Sequence, residues 1–147
     1  MSRLTRLFSF RGRASRLTYW RTQLWTSLVL AVLWVVTIFV AMGAGDVAVI
    51  PLLLGFPLVV ISLAVLVRRL HDRNRSSWWL LVFWAAPSAC FIAAQWATER
   101  TGDGGTLALA SLVAGLAFEL WAIIDVGFLR GSKGDNRYGP PPAVSAR

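Results

Sequence analysis

The sequence predicts an all-α integral membrane protein, a four-helix bundle, and three observations carry that prediction. First, 56% of the chain is hydrophobic while its charges gather in a few short stretches, so the apolar residues form long runs. Second, those runs cover residues 24–42, 47–67, 78–97 and 107–129. Each is near the roughly 20 helical residues that cross a bilayer core. Third, the connections alternate in charge. Basic residues crowd the N-terminus, the middle connection and the C-terminal stretch, whereas the other two connections hold Asp46, Glu99 and Asp103 with Arg100. Lipid gives bare backbone amides no partner, so the spans must be helices or strands of a closed barrel. Continuous rather than alternating apolar character selects helices. Basic loops favour the cytoplasm. The expectation is a multi-pass protein of the bacterial inner membrane with both termini and the middle loop inside.

The N-terminal segment is basic and aromatic. Arg3 to Phe10 has a weak amphipathic pattern suited to the membrane surface, with Leu4, Leu7, Phe8 and Phe10 inward. Gly12 breaks it, and Ser15 is a candidate N-cap for a helix that starts near Arg16 and enters the first span. Tyr19, Trp20 and Trp25 fall at headgroup level. The span is longer than a signal-peptide apolar core of about 7–15 residues and reads as uncleaved.

The connection GAGD, residues 43–46, is short enough to force an antiparallel hairpin, with Asp46 a candidate cap for the second span. Pro51 lies in the first turns of that span, Pro57 near its middle, and Pro87 in the third. Each interior proline removes a helix bond and favours a bend. Thr98 to Thr106 is a polar connection. In the fourth span, Ser111 and Gly115 stand four apart. Small residues so spaced admit a close helix, either within the bundle or in a homo-oligomer. Cys90 has no second cysteine to pair with. Residues 143–147 are expected to be disordered.

A single membrane domain over 1–142 follows, with a net charge of +8 that serves topology and contact with anionic lipid. Nucleic acid is not an expected partner. One histidine and one cysteine do not supply a metal's three or four ligands. No cofactor, metal or catalytic set is expected, and the chain reads as a non-enzyme.

Two acids carry special cost. Glu119 lies near the centre of the fourth span, where an ionised acid costs roughly 2.5–3.5 kcal/mol. It is either an ion or proton site, making the chain a small transporter or channel subunit, or a protonated acid bonded to Thr37, Ser62 or Gln95. Asp125 lies roughly 240° further round the helix and is expected to pair with Arg68 or Arg69.

Three motifs remain: FRGRASRLTYW at 10–20, RRLHDRNRSSWW at 68–79 and GDNRYGPPP at 134–142. Together, in this order and between these spans, they resemble the signatures of the domain-of-unknown-function 805 family, YhaH-like small bacterial inner-membrane proteins. The resemblance covers almost the whole chain. One departure is Pro141, where the family's tail usually carries an acid. The resemblance implies a four-span inner-membrane protein and no particular activity.

All three motifs fall on the side expected to be cytoplasmic. The expectation is that they converge, with Arg68, Arg69, His71, Asp72, Arg73 and Arg75 meeting Arg11, Arg13, Arg16, Asn136, Arg137 and Tyr138. A non-enzymatic scaffold whose cytoplasmic face binds anionic lipid headgroups or a protein partner is the leading reading. A lipid-processing enzyme using His71 and Asp72 as acid and base is a weaker one.

Overall fold

A computed structural model describes residues 7–44, 47, 49–101 and 105–142. It is all-helical. The helices are α1 (Arg16–Ala44), α2 (Val49–Asp72), α3 (Trp79–Thr101) and α4 (Thr106–Ala122), the last running on into a π-helical turn, Ile123–Phe128. All four are long and apolar enough to cross a membrane. Large apolar side chains such as Trp34, Phe39, Leu53, Phe56 and Trp84 point outward, as expected where lipid rather than water is the solvent. The chain divides into two compact units: Met1–Asn74 together with Gly131–Arg147, and Arg75–Arg130.

In the first unit, α1 and α2 form an antiparallel hairpin. The Thr18 amide donates to Ser15 Oγ at 3.2 Å, so Ser15 does cap α1. The Ser62 hydroxyl donates to Gln23 Oε1 at 2.9 Å across the hairpin. Buried Thr26 and Thr37 return their hydroxyls to carbonyls of their own helix, Thr22 and Leu33. Pro57 sits inside a continuous α2. The helix also runs past Val67 to Asp72, so Arg68 to Asp72 are helical rather than loop. Nothing in that stretch breaks a helix, and Arg69 and His71 lie in the last turn, where cations suit the helix dipole. Asn74 ends it at φ 57°, a left-handed conformation that asparagine tolerates.

In the second unit, α3 and α4 form the other hairpin. A Cβ on Gly115 would lie 3.1 Å from Phe91 Cε1 and 3.2 Å from Cys90 Cβ, so Gly115 serves close packing of α4 on α3. Cys90 is half-buried there. Pro87 is buried inside α3, which continues beyond Thr98 to Thr101. Among the described part of the N-terminal segment, Leu7, Phe8 and Phe10 are exposed. Residues 3–6, the Asp46 cap and residues 143–147 lie outside the described residues.

Candidate functional site

The chemistry gathers at Asp72, the last residue of α2. Its side chain is only 5% exposed, and a buried carboxylate needs partners. Arg13 Nε donates to Oδ1 at 2.9 Å, and Arg69 Nη1 donates to Oδ2. Both arginine side chains are 1% exposed. Two buried guanidinium groups on one buried carboxylate also need acceptors beyond it. Arg13 finds them in backbone carbonyls of the C-terminal stretch. Its Nη2 donates to Ser132 O at 2.7 Å, and its Nη1 to Gly134 O at 2.7 Å and Gly139 O at 3.3 Å. A planar guanidinium serves all these acceptors at once, which a single ammonium cannot do.

The C-terminal stretch is folded to match. The Ser132 amide and hydroxyl both donate to the Asp72 carbonyl, at 2.8 and 3.0 Å. Asn136 and Gly139 exchange backbone hydrogen bonds in a tight turn. The Tyr138 amide donates to Asn136 Oδ1, and Asn136 Nδ2 donates to His71 O and Ser132 Oγ. Gly139, at φ 112°, closes that turn in a conformation that favours glycine. Gly131 is required for another reason: a Cβ there would overlap the Asp72 carboxylate.

His71 is held on two sides. Its Nδ1 lies 3.2 Å from Gly12 O, and because a carbonyl only accepts, Nδ1 carries the proton. Its ring stacks on Tyr138 at 3.8 Å between centroids and 6° between planes. The Ala14 amide donates to Arg68 O. Residues of all three motifs therefore meet: Arg13 and Ala14 from the first, Arg68, Arg69, His71 and Asp72 from the second, and Asn136, Arg137 and Tyr138 from the third. Arg137 donates to Asn74 O at 3.2 Å. Arg11 is exposed ahead of α1 and Arg16 at its start, and Arg73 is half-buried just beyond α2.

One pairing goes beyond the sequence reading. Asp125 pairs with Arg75, at 3.0 Å, a partner the sequence reading did not name. Arg69 pairs with Asp72 within its own helix, a partner at i+3. Arg75 accordingly belongs to the second unit, where its guanidinium also lies 4.0 Å over the Trp79 ring. Trp79 and Phe83 each meet Trp121 edge-on. Asp125 sits in the π-helical turn, a feature frequent at functional sites and one that sequence periodicity does not reveal.

Glu119 is half-buried on α4. Ser62, one of its expected partners, is bonded to Gln23, and Thr37 to its own helix. The acid–base reading also loses its geometry. The Asp72 carboxylate is held by two arginines, and His71 uses Nδ1 on Gly12, so the two do not form a working pair. No group of three or more candidate metal ligands occurs among the described residues.

Four membrane-length helices, with a termini-to-loop knot of buried arginines around one carboxylate, define a small helical membrane protein whose polar chemistry lies at one end of a hairpin. The chain belongs to the family described as protein of unknown function, DUF805, which it matches over residues 7–140. Among its relatives in Escherichia coli K12, the uncharacterized protein YiiR is 31% identical, over 90% of this chain and 85% of that protein. The inner membrane protein YhaI is 29% identical, over 97% and 92%, and the inner membrane protein YhaH is 28% identical, over 92% and 88%. No solved structure matches.

Proposed function

We propose that this chain is a non-enzymatic scaffold of the bacterial inner membrane whose basic cytoplasmic cap binds anionic lipid headgroups. The observation that carries this reading is the division of labour among the arginines around Asp72. Arg13 and Arg69 are buried and committed to the carboxylate and to backbone carbonyls. Arg68 is held only by Nε, which donates to Ala64 O at 3.3 Å, and its two terminal nitrogens carry no hydrogen bond among the described residues. Arg11 and Lys133 are exposed. The fixed node thus supports a rim of cations whose donors suit phosphate oxygens. Such cations contribute about 1 kcal/mol each near an anionic leaflet. The placement in the inner membrane draws on the names of YhaI and YhaH, and the cytoplasmic side on the positive-inside tendency.

The test is native mass spectrometry of the chain released from membranes. Anionic phospholipid should co-purify, and Arg11→Gln combined with Arg68→Gln should strip it. Equal retention by wild type and double variant would overturn the reading. A second reading, a transporter or channel subunit, is favoured by one observation: no hydrogen bond or ion pair reaches the Glu119 side chain among the described residues. Glu119→Gln should abolish proton-coupled flux in proteoliposomes if that reading holds, and leave lipid retention unchanged.

A further inference from the structure

Arg21 lies outside all three motifs and outside the Asp72 node. It is exposed on α1, and no hydrogen bond or ion pair holds its side chain among the described residues. With Leu24, Trp25 and Leu28 it lines an open groove of about 260 Å³. The spacing i, i+3, i+4 and i+7 places these four on one face of the helix. The three apolar residues are all more than half exposed, Trp25 at 65%.

We propose that this groove seats one anionic glycerophospholipid, its phosphodiester on the Arg21 guanidinium and one acyl chain along Leu24, Trp25 and Leu28. The proposal rests on the reading that this end of the hairpin faces anionic headgroups. Three features argue for it. The cation stands at one end of the strip, and Leu28 lies about 10 Å further along the helix axis, the arrangement of a headgroup above its chain. A guanidinium offers a phosphodiester two parallel donors. Tyr19 and Trp20, in edge contact at 5.4 Å, occupy the same turn, where amphipathic rings mark the membrane interface. A second copy of the chain is a poorer occupant, because its own α1 would bring Arg16 and Arg21 to the same depth and repel.

The experiment uses the full chain in nanodiscs of phosphatidylglycerol and phosphatidylcholine in equal amounts, with retained lipids counted by native mass spectrometry. Arg21→Gln should lower the ratio of retained phosphatidylglycerol to phosphatidylcholine about fivefold. Arg21→Lys, which keeps the charge, should restore most of it and so exclude misfolding as the cause. Trp25→Ala should reduce retention of both lipids at an unchanged ratio. A wild-type ratio for Arg21→Gln would overturn the seat, as would displacement of the lipid by soluble glycerol phosphate, which has no chain. The Arg11→Gln, Arg68→Gln double variant separates the two ideas. If it alone loses phosphatidylglycerol, the cap reading stands and the seat falls. If only Arg21→Gln loses it, the seat stands and the cap reading falls. If neither does, both fall.

Discussion

Each hairpin closes one end with a buried aspartate, and the two do so by opposite means. Asp72 is surrounded by polarity: two arginines on its oxygens, and backbone carbonyls from the C-terminal stretch on Arg13. Asp125 is backed by rings: its partner Arg75, 23% exposed, lies on Trp79, with Phe83 and Trp121 behind it. The first arrangement joins segments far apart in sequence. The second joins the start of α3 to the π turn that ends α4. The carboxylate that organises distant chain draws on many directional bonds, while the one that closes a local hairpin pairs with a cation steadied on an aromatic face.

Removing each acid tests that contrast. Asp72→Ala leaves two almost wholly buried guanidinium groups without their anion, and breaking a buried pair in this way costs about 3–5 kcal/mol. The expected result is a large drop in thermal midpoint in detergent, with the C-terminal stretch opened to protease. An unchanged midpoint would mean that the node is ornamental. Gly131→Ala attacks the same node sterically, because the new methyl must displace the Asp72 carboxylate. Overpacking costs about 1–3 kcal/mol, and the protease sites exposed should be those opened by Asp72→Ala. Asp125→Ala should cost less, about 1–2 kcal/mol for a group losing a charge-assisted bond, since Arg75 keeps the Trp79 face and some solvent. Its signature is a lowered midpoint with the C-terminal stretch still protected. A loss equal to that of Asp72→Ala would erase the distinction between the two ends.

The two ends also differ in what the sequence makes legible. The four helices are readable from apolar runs alone, because a bilayer imposes a length on each of them. The convergence of the three motifs is readable from the one side to which four alternating spans are expected to bring them. The partner choice is not. The sequence offers Asp125 several cations in the stretch 68–75, and only the local path of the chain brings Arg75 onto it and Arg69 onto Asp72. The reach of α2 to Asp72 is hidden because charge suggests a loop, although arginine, leucine and histidine at a helix end carry little penalty. Gly131 and Ser132 give no signal in isolation, since one matters by lacking a Cβ and the other by its backbone amide and carbonyl together with a small hydroxyl. The π turn is hidden for a related reason: it shifts backbone bonding without changing hydropathy.

A still smaller perturbation asks whether charge or shape holds each end. Arg13→Lys keeps a cation but cannot reach Asp72, Ser132 O and Gly134 O together, so it should release the C-terminal stretch even though the net charge is conserved. Arg75→Lys keeps the pairing with Asp125 and forfeits chiefly the flat stacking on Trp79 that a guanidinium provides. That contact contributes about 0.5–1 kcal/mol at a partly exposed site. The expected outcome is a midpoint lowered by a degree or a few, with the indole fluorescence of the α3–α4 hairpin shifted as Trp79 loses its cover. Should Arg75→Lys instead destabilise the chain as much as Arg13→Lys, the second aspartate would also depend on the guanidinium's fixed fork. The ring-bound end would then be a directional node like the first.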